Sequence, residues 1–145
     1  MSKHPKPSGV IALQYAALPI QERDGETCVL LVTSRETQRW VLPKGWGEKG
    51  LTGAQVAAKE AFEEAGIQGV ASDTSVGRYR YTKRLGKGRT VECEVLVYPL
   101  TVETLLPKWP ERTQRRREWF TLAQAALVID DGELVPLLLR LAAPE

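Results

Sequence analysis

The sequence predicts an α/β fold, a mixed β-sheet with helices on both faces. Three observations carry that expectation. Runs rich in Val, Ile, Leu and Tyr lie on both sides of one alanine-rich segment near 52–65. Turn-forming Gly, Asp and Pro punctuate those runs. Two further apolar stretches near the C-terminal end have helical spacing. Strands, a helix, strands again and closing helices suggest a sheet covered from two sides.

In chain order, Gly9–Ile20 and Thr27–Ser34 are expected as strands. Glu22-Arg-Asp-Gly25 between them supplies Asp-Gly turn chemistry, so they should form a hairpin. Trp40–Leu42 is a short strand stopped by Pro43, and Lys44–Gly50 holds three glycines, which predicts a loop. Thr52 is placed to cap a helix running to Ala65, with Gly66 ending it as a C′ glycine. Ala54, Ala57, Ala58, Ala61 and Ala65 give that helix a small-residue packing side. Val70–Thr82 and Thr90–Thr101 are expected as strands around the basic turn Lys83–Gly88. A Pro- and Arg-rich loop follows at Leu106–Arg116, then a short strand at Glu118–Thr121. Leu122–Val128 and Leu134–Ala143 are helical by pattern, and Pro136 is tolerated in a first turn.

At 145 residues, 43% of them hydrophobic and 26% charged, the chain suits one soluble globular domain over 9–145 after a flexible tail at 1–8. No apolar run approaches membrane-spanning length, and the first residues lack a signal-peptide core. A net charge of +2 gives no general electrostatic footprint for nucleic acid, so no nucleic-acid partner is expected. Cys28 and Cys93 sit in apolar runs, which favours buried thiols and a cytoplasmic setting. His4 is the sole histidine, so the chemistry must be done by carboxylates, cations and water.

Glu60, Glu63 and Glu64 fall three or four positions apart on the alanine-rich helix, which gathers them along one edge. A hard divalent cation prefers such carboxylate oxygens and leaves room for substrate phosphate oxygens. Exposed charge is the default for Glu on helices, but here glycines stand at both ends and Leu42-Pro-Lys-Gly45 leads in. The stretch Gly45–Ile67 resembles the Nudix signature, Gly-x5-Glu-x7-Arg-Glu-U-x-Glu-Glu-x-Gly-U, with U a bulky apolar residue. Gly45, Glu60, Glu63, Glu64, Gly66 and Ile67 match. Leu51 stands where the first Glu is expected, Lys59 replaces the Arg, and Ala61 is a small version of U. The resemblance implies an α/β/α sandwich and a metal site for Mg²⁺, with Mn²⁺ as an alternative, at Gly45, Glu60, Glu63 and Glu64.

Two further stretches are similar to the diphosphoinositol polyphosphate phosphohydrolase branch: Leu30–Trp40, and Trp109–Phe120 with its Arg-Glu-Trp-Phe. The implied reaction is hydrolysis of a diphosphate linkage in a small polyphosphorylated substrate, of diphosphoinositol or dinucleoside polyphosphate type. Phosphates need Arg forks and Lys point charges, for which Arg35, Lys44, Arg89, Arg115, Arg116 and Arg117 are the candidates. Trp109 is a candidate pocket residue and Trp119 a core one. The base is expected to be a signature Glu or a later-loop acid, Glu111 or Glu118. A second reading, carried by Leu51 and Lys59, is a non-catalytic or weakly active nucleotide- or polyphosphate-binding module. Oligomeric state is left open.

Overall fold

The computed structural model describes residues 11–143. The tail expected at 1–8, with His4 in it, lies outside the described residues. The elements run β1 (Ala12–Arg23), β2 (Glu26–Thr33), β3 (Trp40–Val41), β4 (Lys44–Trp46), α1 (Gly53–Ala65), β5 (Ile67–Ala71), β6 (Gly77–Gly86), β7 (Arg89–Leu105), β8 (Arg117–Thr121), α2 (Leu122–Val128) and α3 (Leu134–Ala142). One eight-stranded sheet holds them in the order β3-β2-β1-β7-β5, with β4 on β1, β6 on β7 and β8 on β2. β1 and β7 are parallel over nine residue pairs, and the other strand pairs are antiparallel. The sheet is therefore mixed, as expected.

Both faces of the central strands are buried, which explains their unbroken apolar runs. On one face Ala16, Leu18, Val29 and Leu31 pack with Leu122, Ala125, Leu134 and Leu138 of α2 and α3. On the other, Ala17, Leu30, Val32 and Leu100 meet Ala54, Ala57, Ala61 and Ala65 of α1. Neighbouring residues thus point into different cores, the period of two of an extended strand. Each fully buried leucine of this set contributes roughly 1.5–3 kcal/mol. The alanine side of α1 lets the helix lie close to the sheet, and that closeness brings its acidic edge to the rim of β1 and β4.

Local chemistry settles the turns. Asp24 and Gly25 both have positive φ, 52° and 80°, closing the β1–β2 hairpin. Lys87 and Gly88, at 54° and 74°, close β6–β7 in the same way. Two segments differ from expectation. Lys44–Trp46 is a strand, because it hydrogen-bonds to Gln14–Ala16 of β1. The strand expected over Val70–Thr82 is two: β5 pairs with Leu100–Leu105 and β6 with Arg89–Val97, at opposite ends of β7. Only the 17-residue length of β7 makes both pairings available.

Candidate active site on the acidic edge of α1

Thr52 caps α1 in a reciprocal capping box with Gln55, and Gly66 ends it at φ 66°. The boundaries fix which residues of the helix reach the sheet's rim. Glu64 is 5% exposed and Glu60 half-buried. Their carboxyls lie within hydrogen-bonding reach of each other. Burial pushes Glu64 up to about 8, against the pull of Arg115 and Lys44. Burial also raises Glu60. Gly45 is where the loop passes closest: a Cβ there would stand 2.5 Å from the Glu60 carboxyl carbon. Only a residue without a side chain leaves Glu60 its place.

The C-terminal end of α1 is fastened by the loop after β7. A helix leaves its last carbonyls without partners, and here each finds one. Phe62 O accepts from Gly66 N, Glu63 O from Glu111 N at 3.0 Å, Glu64 O from Trp109 Nε1 at 2.9 Å, and Ala65 O from Arg117 Nη1 at 2.7 Å. Arg117 also stacks on the Trp109 ring, 4.0 Å from its centroid. This clasp sets Glu111 beside the acidic edge. Arg115 then holds Glu111 by a 2.7 Å bond from Nε to Oε1, donates from Nη1 to Thr33 O at 3.0 Å, and lies 3.7 Å from Glu64.

Glu60, Glu64 and Glu111 line a cavity of about 1090 Å³ together with Gly45 and Glu48. Cations Arg35, Arg39, Lys44, Lys83, Arg84 and Arg115 share its walls. Of the residues expected to bind phosphate, Arg35 and Lys44 line this cavity. Burial lowers Lys44, opposed by Glu64 and Asp131. Arg115 also lines the cavity, with Nε engaged on Glu111 and Nη1 on Thr33 O. Arg117 caps the C-terminal end of α1, and Arg89, the first residue of β7, lies off the cavity walls. Arg116 is likewise off them, with its guanidinium over Trp40.

Glu63, expected at the metal site, turns along the helix toward Lys59, 3.9 Å away, and does not line the cavity. Trp109 serves the helix end and not the pocket. Trp119 packs against the α1-side core, as expected. Glu118 is exposed on β8 away from the cavity, which leaves Glu111 as the later-loop acid. Glu48, Arg39, Lys83 and Arg84 were missed. The alternation Tyr79, Tyr81, Lys83 along β6 is the signal that would have found Lys83.

Among the described residues, no three acidic, His or Cys side chains converge tightly enough to hold an ion by themselves. Two carboxylates pressed together against backbone at Gly45 still fit a hard cation. Such an ion takes one or two protein carboxylates and completes its shell with water and phosphate oxygens. Glu64, buried and pushed toward neutrality, is a group that a divalent charge would return to its ionised form.

Residues 12–138 match the NUDIX domain. The chain belongs to the Nudix family. It is 35% identical over 103 residues to Nudix hydrolase 12, mitochondrial, of Arabidopsis thaliana, covering 67% of this chain and 49% of that protein. It is 33% identical over 110 residues to diphosphoinositol polyphosphate phosphohydrolase 3-beta of Homo sapiens, covering 74% and 62%. This Nudix chain thus spans about half the length of the curated relatives it matches. In solved structures the fold recurs in a C. elegans Ap4A hydrolase, with a TM-score of 0.63, 20% identity and coverage of 91% and 96%. It recurs also in a NUDIX hydrolase of Nitrosomonas europaea, with a TM-score of 0.66, 22% identity and coverage of 90% and 87%. These last likenesses establish the α/β/α fold.

Proposed function

We propose that this Nudix chain hydrolyses a diphosphate linkage in a small polyphosphorylated molecule, with Mg²⁺ or Mn²⁺ as the divalent ion. One observation carries the reading: a floor of paired carboxylates, Glu60 and Glu64, faces walls of Arg and Lys across one cavity. Carboxylates alone would repel a polyphosphate, and cations alone would need no acidic floor. Together they suit a metal–phosphate substrate.

In this scheme Glu60 and Glu64 hold the ion beside Gly45. A bound ion would supply charge neutralisation at the phosphate oxygens and lower the pKa of water. Glu111, kept in place by Arg115, would take the proton of the attacking water as the new P–O bond forms, the anhydride P–O bond breaks and the phosphate leaves with its electron pair. Arg35, Arg39, Lys44, Lys83 and Arg84 bind the phosphates and stabilise the leaving group's charge. Positioning and electrostatics carry the rate.

Two aromatic rings line the cavity, Trp46 and Tyr81, and each has an ammonium group over it: Lys83 at 5.8 Å and Lys44 at 5.0 Å. A base would have to displace a lysine to stack there. A phosphate-dense scaffold without a base finds the same lysines as ligands. This favours diphosphoinositol polyphosphates over dinucleoside polyphosphates, and the name of the human relative points the same way. The free, buried state of Cys28 and Cys93 supports a reducing compartment such as the cytoplasm.

The test is product release with Mg²⁺ or Mn²⁺ from diphosphoinositol phosphates, diadenosine polyphosphates, nucleotide sugars and nucleoside triphosphates. Glu64→Gln is the control. Metal-dependent turnover highest on diphosphoinositol phosphates and abolished by Glu64→Gln is expected. Binding of these compounds without turnover on any of them would favour the binding-module reading.

A further inference from the structure

Two of the signature positions where this chain departs, Leu51 and Lys59, are resolved by a residue that the signature does not count. Lys59 Nζ lies 2.6 Å from Glu48 Oε2. The Leu51 N–H donates to the Glu48 carbonyl at 3.1 Å, and Gly50 turns the chain between them at φ 88°. That turn leaves the Leu51 side chain 39% exposed. It directs the Glu48 carboxylate, 16% exposed, onto the lysine. The acid missing at position 51 is thus supplied three residues earlier, from the other end of the same turn.

The pair matters because of what surrounds Lys59. Its neighbour in sequence is Glu60, and one helical turn on is Glu63, whose Oε2 is already 3.9 Å from Nζ. A lysine without Glu48 has these helix carboxylates as its nearest alternative partners. An ammonium released toward Glu60 opposes a divalent cation held by that carboxylate, by simple charge competition.

We infer that Glu48 is a positioning residue which holds Lys59 away from Glu60, the metal carboxylate beside it, so that the departures at 51 and 59 leave the site competent. This rests on the metal-site reading above. The mechanism predicts an unusual pattern: removing Glu48 harms the site, and then removing Lys59 as well repairs it.

Mn²⁺ binding by paramagnetic resonance tests this without recourse to turnover, with thermal midpoints recorded alongside. Glu48→Gln should weaken Mn²⁺ binding by about tenfold, the usual scale for partners behind the ligands. Glu48→Gln with Lys59→Met should return within about threefold of the parent, and Glu48→Gln with Leu51→Glu should also recover. Unchanged binding in Glu48→Gln overturns the inference. So does a double variant as weak as the single one, which would make Glu48 a ligand itself or a support of the loop. Were the parent protein to bind no Mn²⁺, the metal-site reading would fail and this inference with it. Parent binding that is indifferent to Glu48 would sink the inference alone.

Discussion

The indole N–H of Trp109 donates to the main-chain carbonyl of Glu64, 45 residues earlier in the chain, at 2.9 Å. The same helix turn that carries the buried carboxylate is thereby tied to the loop that carries Glu111. Arg117, stacked on that indole, bonds the next carbonyl. A loop with no regular structure of its own is held by the unsatisfied end of a helix.

Trp109→Phe keeps most of the ring and removes the donor, leaving a half-buried carbonyl unpaired. A loss of about 1–2 kcal/mol is expected in denaturant unfolding. Arg117→Met should cost a similar amount, about 1–2 kcal/mol. Because the two side chains are in contact, the double variant should lose less than the sum. Strict additivity would show that the stacking of Arg117 on Trp109 is energetically idle.

Arg115, expected as a phosphate ligand, directs Nε to Glu111 and Nη1 to Thr33 O. Arg115→Lys cannot reproduce two directed bonds from one planar fork. The expected result is a fall in kcat of tenfold or more, of the order seen when a base loses its support, with KM changed little. A rise in KM at constant kcat would restore the phosphate-ligand assignment.

Gly45→Ala is expected to fold, since its backbone does not need a positive φ. The new methyl nevertheless occupies the place of the Glu60 carboxyl, 2.5 Å from its carbon. Turnover should drop by roughly a hundredfold, as misplacement of a reacting group does, with the thermal midpoint near that of the parent. Parental activity would mean that Glu60 can move without cost to the site.

Glu64 titrates at about 8 in the fold against an ordinary 4.5. The folded protein therefore binds this proton more tightly than the unfolded chain does. The stability it contributes is complete below about 4.5 and is lost as pH rises through about 8. Metal-free protein should lose roughly 5 °C or more in Tm between pH 5 and 9, and Glu64→Gln should flatten that decline. Divalent metal must displace the same proton, so its affinity should climb over this window. A metal-free Tm that rose across it would contradict the buried, protonated state.

Much of the fold was legible because its signals are local. The Asp24-Gly25 turn, the Thr52 and Gly66 ends of α1 and the spacing of Glu60 and Glu64 depend on residues within a few positions of one another. So the acidic edge, the glycine it packs against and the family resemblance could be read before any coordinates. The strand at Lys44–Trp46 and the division of Val70–Thr82 could not, since each is decided by which stretch of β1 or β7 lies alongside. The same holds for the cations. Arg115, Arg116 and Arg117 are adjacent and chemically alike, yet one holds Glu111, one covers Trp40 and one caps α1. Composition and near neighbours along the chain set the chemical inventory and the local hydrogen-bond closures. Which charge meets which is set by folding, because an ion pair depends on distance in space and the chain brings Thr33 of β2, Glu64 of α1, and Glu111 and Arg115 of the loop after β7 together.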